Sequence, residues 1–187
     1  LSITFQHQFY REINLQIYPS DLKSISFSKR KTNDVKLICS FSKLSNEEIE
    51  NKIKEIVKKL NAENLIVNVE IKLEEALDSG ASMLIYSIDD NSIIGIDALY
   101  NKKTCKFDLD IEKFIQSYSI DDNLADMIVV PASLANGKTI FQVKEITKHL
   151  ETNLFVTSKI TGCKYGIGKT SNGFDVIIEG ISNPSIK

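Results

Sequence analysis

The 187-residue chain is 42% hydrophobic and 26% charged, which is enough apolar content for one good-sized core or two small ones and excludes a disordered polymer. A formal charge of -2 and a pI near 5.8 exclude an overall basic field, so nucleic acid would have to be held by a local patch. The cations are almost all lysine, with Arg11 and Arg30 the exceptions. Cys39, Cys105 and Cys163 are scattered without C-x-x-C spacing, which implies neither a zinc site nor a disulfide framework, and no apolar run reaches the roughly 18 residues of a membrane span. A reducing cytoplasm is the expected setting.

The chain begins at Leu1, directly in a strand-like stretch marked by Ile3 and Phe5, and is expected to be a piece of something larger. Ile13, Leu15 and Ile17 alternate with polar residues and predict a strand over 12–18, which Pro19 ends. Leu22, Ile25 and Phe27 suggest a weaker strand, and 35–41 a stronger one after the polar stretch 29–34. Ser45 with Glu48 reads as a capping box opening a helix whose apolar face is Ile49, Ile53, Ile56, Val57 and Leu60. The opposite face carries Lys52, Lys54, Lys58 and Lys59 and reads as solvated, with a phosphate-binding surface the alternative.

Leu65 to Leu73 alternates again. A hairpin of 83–88 and 93–96 turns across Asp89-Asp90-Asn91, and Gly80 marks the turn before it. From the strand at 35–41 to the strand ending at 88 the pattern reads as a compact β-α-β-β unit. The last third reads as helices over 110–118 and 122–135, a strand over 139–143, a helix over 147–161, and strands near 165–167 and 174–179. Pro131 is expected to kink the second of those helices.

Chemistry-bearing residues gather in that last third. On the 147–161 helix Ile146, Leu150 and Leu154 form an apolar stripe, and His149, Thr152, Asn153 and Val156 a neighbouring one. An imidazole, a hydroxyl and an amide are therefore expected to point the same way. On the 122–135 helix Asn123, Asp126, Met127 and Val130 share a stripe, with Leu124, Ala125 and Ile128 toward the core. Both stripes admit two readings: a catalytic cluster, or a structural histidine beside an exposed acid whose neighbours Asp121 and Asp122 cap the helix. Gly166-Ile-Gly168 lacks the third glycine and following helix of a dinucleotide site, and no G-x-x-x-x-G-K-S/T loop occurs.

The run Leu124-Ala-Asp-Met-Ile-Val-Val-Pro-Ala-Ser-Leu-Ala135, then a strand, then His149-Leu-Glu-Thr-Asn-Leu154, resembles in order, spacing and letters the C-terminal part of the RNA 3′-terminal phosphate cyclase family. His7-Gln-Phe-Tyr10 is similar to an earlier family segment, without the Pro-Gly-Gly-Gly that follows it there. The resemblance implies an α/β (α+β) fold. Residues 1–19 and 99–187 would be part of a main domain, whose C-terminal αβαββ unit has the cyclase or enolpyruvyl-transferase-like repeat architecture. Residues 20–98 would be an inserted small domain of β-α-β-β type.

The resemblance also implies the chemistry. His149 matches the nucleophile that takes AMP from ATP and passes it to an RNA 3′-phosphate, after which the 2′-hydroxyl closes a 2′,3′-cyclic phosphate. Asp126 matches the acid that holds Mg²⁺ or Mn²⁺ against the nucleotide, and Asn123, Met127, Thr152 and Asn153 fall at nucleotide-binding positions. Met127 stands where the family has glutamine, and Asn123 where an aromatic is common. The family's arginine-rich N-terminal half has no counterpart here, so a chain supplying that half, or a homo-oligomer, is an implied partner besides RNA. The alternative is a non-catalytic cyclase-like RNA-binding protein of ribosome assembly. An enolpyruvyl-transferase relative is a third reading, and nothing in the sequence resembles that family's site.

Overall fold

The structure, a computed structural model, describes the backbone of residues 2–7 and 11–16 and residues 21–182 in full. β1 (Ser2–His7) and β2 (Arg11–Gln16) pair antiparallel, with Ile3 opposite Leu15 and Phe5 opposite Ile13. The expected end of that strand at Pro19, and most of the His7 to Tyr10 segment, lie outside the described residues.

A five-stranded mixed sheet follows, in the order β4-β3-β5-β6-β7. It is built from β3 (Asp34–Ser42), β4 (Ile66–Leu73), β5 (Gly80–Ile88), β6 (Ile93–Asn101) and β7 (Lys106–Phe107). On β3 the side chains alternate between the two faces, and Val35, Leu37, Cys39 and Phe41 are buried. They pack with Ile49, Ile53, Ile56 and Leu60 of α1 (Asn46–Ala62) and with Ile111 and Phe114 of α2 (Ile111–Gln116) into one core.

The second sheet has the order β8-β10-β9, from β8 (Lys138–Val143), β9 (Lys164–Thr170) and β10 (Gly173–Glu179), all antiparallel. α3 (Asp122–Leu134) and α4 (Lys148–Thr161) lie side by side on it. Phe141, Val143, Val176 and Ile178 from the sheet meet Ala125, Val129, Leu150 and Leu154 from the helices in a second core. The element order α3-β8-α4-β9-β10 is the αβαββ unit read from the sequence, and the whole is the expected α+β architecture.

Several local expectations change. Residues 22–27 form no strand; two isolated parallel bridges, Lys23 to Asn136 and Ser26 to Ile140, lay them beside β8, and only Phe27 is buried, because the spacing of Leu22, Ile25 and Phe27 does not fit a period of two. The capping box does not form: the Ser45 side chain makes no capping bond, and the Glu48 carboxylate accepts from Tyr100 Oη. Gly80 opens β5 rather than preceding it, α2 stops at Gln116, and β7 was not expected. α3 runs on through Pro131 to Leu134. Past its end the chain turns back so closely that a Cβ on Gly180 would meet Ala135 O at 2.1 Å, an approach open only to glycine.

The two cores are joined where β6 passes the start of α3. Ile93 N donates to Ser119 O at 2.9 Å, and Gly95 N to Asp121 Oδ2 at 2.9 Å. Lys113 Nζ of α2 lies 2.6 Å from Asp122 Oδ2. No helix among the described residues is long and apolar enough to cross a membrane.

Candidate functional site

The residues singled out from the sequence fall on the outer face shared by α3 and α4. Their placement begins with the caps. Asp121 Oδ1 accepts from Leu124 N at 2.9 Å and fixes the start of α3; Thr147 Oγ1 accepts from Leu150 N at 3.0 Å and does the same for α4. Gly162 ends α4 in the left-handed conformation (φ 79°), its N–H donating to Ser158 O. With Ala125, Val129, Leu150 and Leu154 turned into the core, the helical period sends Asn123, Asp126, Met127 and Val130 to one outer flank and His149, Asn153, Val156 and Ile160 to the other.

His149 lies in the first turn of α4 and is exposed, so its imidazole is accessible. Asp126 is partly buried, and its Oδ1 is fully buried without a hydrogen-bond partner among the described residues. Burial holds the Asp126 carboxyl above the usual carboxylate range. The field of His149 acts the other way, and that of Asp122 adds to the rise. The acid and the imidazole are therefore electrostatic neighbours across the two helices.

The helices are tied at the same level by Asn153, whose Nδ2 donates to Asp126 O at 3.5 Å, a long bond. Thr152 behaves differently from the expectation of a shared polar stripe. Its Oγ1 donates to Lys148 O at 2.7 Å, back into its own helix, a common fate of a helical threonine hydroxyl. Asn123 is exposed, and Met127 is 74% exposed, with its thioether turned to solvent. The structure thus brings Asp126, His149 and Asn153 together, with Asn123 and Met127 on the same outer side, and leaves the Thr152 hydroxyl engaged elsewhere.

No group of three or more His, Cys, Asp or Glu side chains able to cage a metal occurs among the described residues. One carboxylate with an unpartnered oxygen suits a cation such as Mg²⁺, which keeps several waters and is commonly held by one or two carboxylates together with substrate phosphates. Asp126 fits that mode of binding.

Sequence reading missed two functions of the site's surroundings. Asp121 holds the neighbouring sheet through Gly95 N as well as capping α3, and Asp122 is the ion-pair partner of Lys113, whose own pKa the bond to Asp122 raises. Neither partner is near in sequence, so no local pattern points to it.

A family model described as RNA 3′-terminal phosphate cyclase matches residues 11–167. The chain is similar to an RNA 3′-terminal phosphate cyclase of Pyrobaculum aerophilum, 23% identical over 125 residues, which are 62% of this chain and 35% of that protein. A protein of the same name from Pyrobaculum neutrophilum is 29% identical over 66 residues, 35% of this chain and 19% of its own length. Another, from Methylococcus capsulatus, is 44% identical over 41 residues, 22% of this chain and 11% of its own. The matched stretches span about a third or less of these relatives' lengths.

Proposed function

This chain belongs to the RNA 3′-terminal phosphate cyclase family, and from that premise we propose that the α3 and α4 face carries the nucleotide chemistry of an ATP-dependent RNA 3′-phosphate cyclase. The observation that supports it is an exposed imidazole, His149, whose field acts on the half-buried Asp126, whose Oδ1 has no hydrogen-bond partner among the described residues.

A ring nitrogen of His149 attacks the α-phosphorus of ATP: a nitrogen–phosphorus bond forms, the bond to the bridging oxygen breaks, and pyrophosphate leaves. An oxygen of the RNA 3′-phosphate then takes the AMP from nitrogen, and the vicinal 2′-hydroxyl displaces AMP and closes the cyclic phosphate. A divalent cation at Asp126, Mg²⁺ or Mn²⁺, would neutralise charge building on the phosphate oxygens. Asp126 would hold that cation, Asn153 ties the two helices together, and Asn123 and Met127 border the nucleotide. Arginines that clamp phosphates in such reactions are scarce here, so a further segment or chain is proposed to complete the electrostatic cradle. RNA bearing a 3′-phosphate is the proposed substrate.

A second reading, a non-catalytic RNA-binding relative, is favoured by Met127 at the family's glutamine position and by the Thr152 hydroxyl spent within its helix. Incubation with α-labelled ATP and Mg²⁺ or Mn²⁺, with and without a chain supplying the N-terminal half, separates the two. Cyclase chemistry predicts an acid-labile label on the wild type and none on His149→Ala. Label that survives in the variant, or is absent from every combination, contradicts it.

A further inference from the structure

A cavity of about 380 Å³ lies where residues 27–31 cross the β8-β10-β9 sheet, lined among others by Lys29, Arg30, Lys31, Tyr118, Gln142 and Asp175. On β8 the buried Phe141 and Val143 turn toward α3 and α4, so by strand alternation Gln142 points to the opposite face, away from His149. On β10 Asp175, paired with Gln142 in register, does likewise.

Two buried polar atoms at this cavity lack a hydrogen-bond partner among the described residues: Arg30 Nη1 and Gln142 Oε1. The amide's orientation is fixed, because its Nε2 donates to Asp175 Oδ1 at 2.7 Å and to Thr170 Oγ1 at 3.2 Å, leaving the oxygen as an unused acceptor. Arg30 forms no ion pair among the described residues. Its guanidinium stands 5.4 Å from the centroid of the Phe114 ring, a contact with the ring face that leaves Nη1 unbonded. Burial lowers the Arg30 pKa, while Asp89 acts on it through space and raises it. The Asp89 carboxylate is itself taken up by Lys31 N, Thr32 N, Asn91 N and Ser92 Oγ. Buried polar groups are normally satisfied, so an orphaned donor and an orphaned acceptor at one cavity call for a ligand that answers both.

The lining is bipolar. Lys29, Arg30 and Lys31 supply positive charge and donors; Gln142 Oε1 and Asp175 supply acceptors. We propose that this cavity is a second phosphate site, separate from the α3 and α4 face, which takes a ribose phosphate: phosphate oxygens accept from Arg30 and its flanking lysines, and a sugar hydroxyl donates to Gln142 Oε1. The flexible arginine stem lets the guanidinium slide off the Phe114 ring to meet the phosphate. A volume of about 380 Å³ accommodates one sugar-phosphate unit, and either a free mononucleotide or one residue of an RNA strand carries that chemistry. The site stands independently of the adenylate chemistry proposed for His149.

The test is a titration of the full chain with AMP, with its 2′-deoxy analogue and with an octaribonucleotide, followed by amide chemical shifts and by calorimetry. The expected result is shifts at residues 28–31, 118, 142 and 175, severalfold weaker binding of the deoxy analogue, at least tenfold weaker binding by Arg30→Met, and no change at these positions in His149→Ala. Tighter binding of the octamer than of AMP assigns the site to RNA, and the reverse to a free nucleotide; either supports a ribose-phosphate site. Shifts confined to 123–130 and 149–156, no shift with any probe, or equal affinity of folded Arg30→Met and wild type would overturn it. Should Arg30→Met fail to fold, the wild-type shift map and Lys29→Ala/Lys31→Ala decide in its place.

Discussion

The outward faces of the helices in the two units are unlike. α1 covers its five-stranded sheet with Ile49, Ile53, Ile56 and Leu60 and turns Glu47, Glu50, Lys54, Glu55, Lys58 and Lys59 to solvent. α3 and α4 bury an equivalent inner stripe, yet their outer face exposes Met127, Val130, Val156 and Ile160 around His149 and Asp126, with Ile160 79% exposed. A charged outer face is what a solvated helix needs. An apolar face interspersed with an imidazole and a half-buried acid is the kind of surface that binds something, and the difference is why the nucleotide chemistry is proposed for the second unit.

The largest effects expected are on the cores, and they sharpen the comparison by showing whether each unit keeps its own. Phe141→Ala should cost about 3–5 kcal/mol and Leu37→Ala about 2–5 kcal/mol, since both side chains are fully buried. In amide exchange the first should open β8 and β10 while leaving β3 and β5 protected, and the second should do the reverse. Loss of protection throughout from either change would break the picture of two cores.

Asp126→Asn comes next. Removing the carboxylate should slow adenylate formation by roughly 100-fold, the scale of losing one positioned electrostatic group, without lowering the melting temperature. Its pH dependence has a definite sign. The Asp126 pKa is raised in the fold, so the native state holds this proton more tightly than the unfolded chain; stability falls as pH rises from the ordinary carboxyl range through the raised value. Asp126→Asn should therefore gain stability over the wild type as pH rises through that window, as thermal melts at pH 3 to 7 will show.

Asp121→Ala removes both the cap bond to Leu124 N and the tie to Gly95 N, so a loss of about 1–2 kcal/mol in urea unfolding is expected. Smallest is Met127→Gln, which alters an exposed side chain and should move stability by less than about 0.5 kcal/mol. A larger drop would mean that the outer face is packed rather than open.

The elements with strong periodicity were legible in the sequence: α1, α3, α4 and the strands β8 and β10 follow from the spacing of their apolar residues, and Asp121 caps α3 as its chemistry suggests. What was hidden depends on distant partners. The Glu48 carboxylate, on α1, is taken up by Tyr100 of β6. The Thr152 hydroxyl turns into its helix, a local competition that residue spacing cannot express. Lys29-Arg30-Lys31 reads as a polar turn, and only the fold brings it against Gln142. His149 and Asp126 were separately visible as members of helical stripes, whereas the field of one acting on the other, and the Asn153 bond to Asp126 O, depend on how the two helices pack.

The most direct test of the claim that nucleotide chemistry sits on the α3 and α4 face is amide hydrogen exchange of the chain with and without ATP and Mg²⁺. The expected result is added protection in 123–130 and 149–156, lost in His149→Ala/Asp126→Asn, with α1 and β3 to β7 unchanged. Protection confined to the five-stranded unit, or protection of 123–130 and 149–156 undiminished in the double variant, would contradict it.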